Sequence, residues 1–126
     1  MNLLLDTHTF LWAIDNHPNL SQKAREAIVD GNNIVFISAA TAWEIAIKKA
    51  IGKLKLPESG YLQELTLHRF TPLDITTEHA LAIEHLPPHH KDPFDRMLIA
   101  QALVDKLTLI TRDEKIKAYA VSVIEA

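Results

Sequence analysis

Asn2-Leu3-Leu4-Leu5-Asp6-Thr7 is a short apolar run that stops on an acid. Leucines with no polar residue between them do not suit a strand wet on one side. They suit one covered on both faces, which is the habit of a parallel sheet. Asp6 then falls at the carboxyl end of that strand. Ile34-Val35-Phe36-Ile37 repeats the pattern, Thr108-Leu109-Ile110 is a shorter version leading into the strand-to-helix turn Thr111-Arg112-Asp113, and residues 121–124 read as a last strand. Residues 70–73 are a weaker strand candidate because Pro72 interrupts them.

Helical segments separate these runs. Phe10, Leu11, Trp12 and Ile14 suggest a helix from Thr7 to about Asp15, broken near His17-Pro18. Ser21 is placed to cap a second helix over residues 22–30, with Ala24, Ala27 and Ile28 inward and Gly31 as its stop. After the second strand, Ser38 or Thr41 caps a helix running to about Ile51, whose shared face is expected to be Ala40, Glu44, Ile47 and Ile51. Residues 60–67 are expected to be helical, and Thr76 or Thr77 caps a helix reaching about Leu86. Pro87-Pro88-His89-His90-Lys91 is a rigid loop, and Asp92-Pro93 reads as N-cap and first residue of a helix extending to about Lys106. Alternation of strand and helix, without repeats or an evident linker, predicts an α/β/α sandwich around a mostly parallel sheet, with residues 1–126 as a single domain.

Composition narrows the function classes. An apolar fraction of 48% with three glycines argues for a folded core, and no apolar run approaches the roughly 20 residues of a membrane span. The first residues carry no basic stretch before the leucines, so they do not read as a signal peptide, and a cytoplasmic protein is the expectation. The absence of cysteine excludes disulfides, thiolate metal sites and cysteine nucleophiles. The formal net charge of −3 is unusual for a nucleic-acid binder, but acids gathered around a cation would not repel phosphate. Lys48, Lys49, Lys53 and Lys55 form a local basic patch that could follow a phosphate backbone, or could simply be solvated partners of a helix C-terminus.

The informative residues are acids in places where acids are costly. Asp95 continues the apolar stripe Leu98, Ile99, Ala102 and Leu103, and Glu44 edges the stripe of its own helix. Asp6 and Asp113 follow strands, and in an open parallel sheet ligands bind outside the carboxyl ends of the strands. Asp95 can also be read as a complement to the positive end of its helix, and simple packing is expected to put it at the opposite sheet edge. If these carboxylates do meet, they cannot all stay ionised without a cation. Mg²⁺ or Mn²⁺ prefers oxygen ligands and serves phosphodiester hydrolysis by activating water and stabilising the developing charge.

Taken together, Leu3-Leu4-Leu5-Asp6-Thr7-His8, Ala42-Trp43-Glu44-Ile45, the segment from Asp92 through Ala102 and Leu109-Ile110-Thr111-Arg112-Asp113 resemble the PIN-domain ribonucleases, most of all the VapC-type toxins of bacterial toxin–antitoxin pairs. The resemblance spans nearly the whole chain with its motifs in family order. It implies a PIN-like, Rossmann-like α/β/α fold in which the helix carrying Asp95 reaches one acidic pocket shared by Asp6, Glu44, Asp95 and Asp113. It also implies Mg²⁺ or Mn²⁺ as cofactor and endonucleolytic cleavage of RNA to a 5′-phosphate and a 3′-hydroxyl. A VapB-like antitoxin would block the site, and a homodimer is the expected assembly. Alternatives are a PIN nuclease of housekeeping RNA processing and a non-enzymatic, receiver-like signalling module.

Neighbouring residues carry secondary expectations. Thr7 and Thr111 are candidates to orient carboxylates or water, with a local cap as the plainer role. Asp92 is read as a cap and, as the alternative, a partner to the ligating acids. Arg96 is a candidate phosphate contact, or the partner of an acid. His85, His89 and His90 do not have the spacing of a transition-metal site. Trp12 and Trp43 are expected in core or interface packing rather than stacked on bases.

Overall fold

The computed structural model of the protein describes residues 1–126, and its strands are β1 Asn2–Leu5, β2 Ile34–Ser38, β3 Thr71–Leu73, β4 Thr108–Thr111 and β5 Ser122–Glu125. They form one five-stranded sheet in the order β3-β2-β1-β4-β5. Every pairing is parallel. The helices are α1 Thr7–Ile14, α2 Gln22–Val29, α3 Ala39–Ala50, α4 Tyr61–Leu67, α5 Thr77–Ala82, α6 Pro93–Asp105 and α7 Glu114–Lys117, with a 3₁₀ turn Ile83–His85 after α5. None is long and apolar enough to cross a membrane.

Strand periodicity divides the core. Leu3, Leu5, Val35, Ile37 and Ile110 face one layer, with Phe10, Ala24 and Leu65 from α1, α2 and α4. Leu4 and Leu109 face the other, with Leu98 and Ile99 of α6 and Ile116 of α7. Leu3, Leu4 and Leu5 are all fully buried, which is the two-sided cover expected of an unbroken leucine run. Each such side chain contributes about 1.5–3 kcal/mol of transfer free energy.

Local chemistry sets the helix starts. Ser21, Ser38, Thr76 and Asp92 accept backbone N–H groups of α2, α3, α5 and α6. Gly52, at φ +72°, stops the chain just past α3, a conformation that a Cβ would strain.

Several expectations are corrected. The buried face of α3 is Ala40, Thr41, Glu44 and Ile45, while Ile47 and Ile51 are exposed, because the last turns of α3 extend beyond the packed layer. Likewise Leu103 is exposed and Ala100 and Gln101 are buried in α6, which packs against α3 and α5 as well as the sheet. The helix that follows the strand-to-helix turn Thr111-Arg112-Asp113 is the single turn α7, capped by Asp113.

Chain order creates one feature of consequence. From the central β1 the chain proceeds outward to β2 and β3, then returns to lay β4 on the other side of β1. The carboxyl ends of β1 and β4 therefore flank a topological switch point, where a crevice opens in sheets of this kind.

Candidate metal and active site

A cavity of about 540 Å³ opens at this switch point, and Asp6, Glu44, Asp95 and Asp113 all line it. Asp6 follows β1, Asp113 follows β4, Glu44 lies two turns into α3 after β2, and Asp95 is in the first turn of α6. The expectation that simple packing sends Asp95 to the opposite edge is overturned. A helix that leads into a parallel strand runs against the strand direction, so α6 starts at the carboxyl edge and descends to the start of β4.

Each acid is held by a different part of the chain. Asp6, 6% exposed, caps α1 by accepting the Thr9 N–H on Oδ1 at 2.8 Å, and its Oδ2 accepts from the Thr111 hydroxyl. The same hydroxyl accepts the Asp113 N–H at 3.0 Å, so Thr111 ties β1 to the turn after β4. Glu44, 8% exposed, accepts from the Thr7 hydroxyl on Oε1 and from Lys48 Nζ on Oε2, both at 2.7 Å. Thr7 thus serves the glutamate of a neighbouring helix rather than the adjoining aspartate. Asp113 caps α7 through the Lys115 N–H at 2.8 Å and faces His90 Nε2 at 2.9 Å on its other oxygen. Asp92 Oδ1 accepts the Asp95 N–H at 2.9 Å, the N-cap read from the sequence.

Asp95 is the strained member. Burial first, then the charges of Asp92 and Asp6 and, less, of Glu44, push its carboxyl up to about 7 against the opposing pull of His90. Its Oδ2 is 3.0 Å from His90 Nε2, and its Oδ1 takes no hydrogen bond from any residue. Burial works upward on Asp113 too, but there the hydrogen bond from His90 and the N–H groups of Lys115 and Ile116 prevail and hold the carboxyl below its ordinary value. One wall of the cavity therefore carries more negative charge than the chain neutralises. Hard oxygen donors in excess of their counter-charges are a donor set that fits Mg²⁺ or Mn²⁺.

The basic and aromatic candidates separate. Among Lys48, Lys49, Lys53 and Lys55, only Lys48 lines the cavity, through its bond to Glu44; the other three are exposed. Arg96 forms no ion pair with an acid. Its guanidinium donates to the carbonyls of Pro87, His90 and Ile83 at 3.1–3.3 Å and to the Tyr119 hydroxyl at 3.2 Å, so it is committed to the chain's own loop. Trp12 packs against the core with Arg112 over its ring, whereas Trp43 is 60% exposed and meets Phe94 edge-on.

Two contributors escaped the sequence reading. Arg112 lines the cavity from the turn after β4. His90 is 8% exposed and places Nε2 between Asp95 and Asp113, whereas His85 is open to solvent and His89 packs on Tyr119. Only the position of His90 two residues before a capped helix hinted at this, and adjacency to a cap does not say where a side chain points.

Comparisons with known proteins bear on the family and the fold. The family model of the PIN domain matches residues 3–122. Ribonuclease VapC22 of Mycobacterium tuberculosis is 28% identical over 120 residues, covering 93% of this chain and 91% of its own. Among solved structures, VapBC2 from Rickettsia felis bound to a DNA fragment from its promoter superposes with a TM-score of 0.74 at 20% identity, covering 98% of both chains. DNA-bound VapBC from Salmonella typhimurium gives a TM-score of 0.66 at 18% identity, covering 98% of this chain and 97% of that one. These two share the fold.

Proposed function

The chain belongs to the PIN domain family, and from that premise we propose that it is a Mg²⁺- or Mn²⁺-dependent endoribonuclease and the toxin of a toxin–antitoxin pair. The observation that carries the proposal is the meeting of Asp6, Glu44, Asp95 and Asp113 in one cavity, with the Asp95 carboxyl pushed up to about 7 by burial and by its acidic neighbours. Crowded carboxylates of this kind are useful when a divalent cation completes them.

In this reading Asp6, Glu44, Asp95 and Asp113 would hold the cation. When bound, the cation supplies Lewis acidity at the scissile phosphate and lowers the pKa of water. The chain's own residues supply orientation. Thr111 and the Thr9 N–H fix both oxygens of Asp6, while Thr7 and Lys48 fix both oxygens of Glu44. Asp95, which lines the cavity, keeps Oδ1 free of protein donors. Lys48 stands at the rim, where its ammonium can meet a phosphate oxygen, and Lys49, Lys53 and Lys55 would extend that contact along the strand.

For the partner, the support is the likeness to VapBC complexes and a strip of exposed apolar side chains, Trp43 and Ile47 on α3 and Ile51 at its C-cap. A VapB-like antitoxin covering that strip would sit beside the helix that carries Glu44 and Lys48. The homodimer and the cytoplasmic setting belong to the same proposal.

The test is cleavage of a mixed RNA substrate with Mg²⁺ or Mn²⁺. Cleavage is expected to stop in EDTA and in Asp6→Asn and Asp95→Asn proteins that remain folded by circular dichroism. Activity that persists in EDTA or in both variants would refute the mechanism.

A further inference from the structure

We propose that His90 is a positioning residue of this site, an N–H donor to Asp113 whose Nε2 also stands beside Asp95 and so sets the separation at which both carboxylates face one cation; the role rests on the nuclease reading above. The residue is buried, and its main chain is held at both ends. Its N–H donates to the Tyr119 hydroxyl at 2.9 Å, and its carbonyl accepts from Arg96 at 3.3 Å. Tyr119 in turn donates to the Pro87 carbonyl at 2.6 Å, so the loop before α6 is tied down on each side of the histidine.

The ring itself is oriented by α6. The Asp92 N–H points at Nδ1 from 3.2 Å, and a nitrogen that accepts a hydrogen bond carries no proton. The proton therefore belongs to Nε2, which lies 2.9 Å from Asp113 Oδ2 and 3.0 Å from Asp95 Oδ2. That nitrogen donates its hydrogen bond to Asp113 and holds Asp95 by proximity of charge.

The same three groups bring their ligand atoms within 4.8 Å of one another, which invites the opposite reading of His90 as a metal ligand. Ligation would need the Nε2 lone pair and would shift the proton to Nδ1, where it would oppose the Asp92 N–H. The hydrogen-bond pattern thus favours the donor. Asp92 acquires a further function, because one residue caps α6 with its side chain and selects the tautomer of His90 with its backbone. Partners of this type, which orient ligands without touching the metal, typically change metal affinity by about 10- to 100-fold when removed.

The experiment measures Mn²⁺ binding by calorimetry, without RNA, in the wild type, His90→Gln, His90→Leu and Asp95→Asn. Gln keeps an N–H donor at nearly the reach of Nε2, whereas Leu keeps only volume. His90→Leu is expected to weaken Mn²⁺ about 10- to 100-fold, and His90→Gln to restore most of the loss. Nitrogen-15 spectra of the wild-type histidines, which depend on no variant folding, are expected to show the His90 proton on Nε2 both without cation and with Mg²⁺. His90→Leu binding Mn²⁺ as tightly as wild type, or Mg²⁺ removing the proton from Nε2, would overturn the positioning role. If Asp95→Asn also bound Mn²⁺ like wild type, it would be the metal-site reading that failed.

Discussion

At Asp95 the needs of folding and of function oppose each other. In the folded chain its carboxyl is pushed from 3.8 up to about 7. Between those values the native state binds more protons than the unfolded state, so this group's contribution to stability is fully present below its unfolded pKa and is lost as pH rises through about 7. Asp95→Asn removes the strain. In EDTA at pH 8 it is expected to stabilise the protein by about 1–2 kcal/mol, allowing for water in the open cavity. It is also expected to abolish the rise in Tm that Mn²⁺ produces in the wild type; both are read by scanning calorimetry. Because proton and cation compete for the same oxygens, Mn²⁺ affinity should climb by up to about tenfold per pH unit below pH 7 and flatten above it. Affinity that does not vary with pH would remove Asp95 from the ligand set. Nothing in the spacing of residues 92–102 reveals this shift, since its causes include Asp6 and Glu44, distant in sequence.

The loop from Leu86 to Lys91 and the first turn of α6 act as one element. Arg96 joins them by donating to the loop carbonyls of Pro87 and His90, to that of Ile83 just before the loop and to Tyr119, which makes it a fastener of this loop. Arg96→Ala is expected to cost about 2–3 kcal/mol, because several partly buried acceptors lose a charged donor together. Arg96→Lys should recover little, since an ammonium cannot span the same acceptors as a planar guanidinium. Urea denaturation with unchanged slope measures both. Ser21→Ala, at the start of α2 and remote from the cavity, should cost about 1 kcal/mol and leave RNA cleavage intact. The caps at Ser21 and Asp92 were legible in the sequence because a cap and its N–H lie three residues apart. Arg96 was not, because its acceptors are placed by a loop whose path depends on Tyr119, 23 residues away.

Across the whole molecule, the site exists because the chain reverses direction of growth at β1. Neither Asp6 nor Asp113 is in a helix interior or a strand; each caps the helix that follows its strand, and β1 and β4 bring them together. Inducible expression in a bacterium is expected to arrest growth, Asp95→Asn to relieve the arrest, and a co-expressed upstream neighbour of VapB type to suppress it. Unimpaired growth with soluble wild-type protein would count against the toxin role and leave the nuclease chemistry to the cleavage assay. The sequence by itself determined the strands, most helices, the two-sided burial of Leu3-Leu4-Leu5 and the acids worth watching. These follow from periodicities of two and 3.6 residues and from hydrogen bonds that close within one turn. Only the tertiary structure decided that α6 begins at the cavity, that α3 turns Ile47 outward and Glu44 inward, and that His90 lies between Asp95 and Asp113. Those outcomes depend on strand order and on a loop folding back across the sheet edge, and no short window of residues contains the partners that fix them.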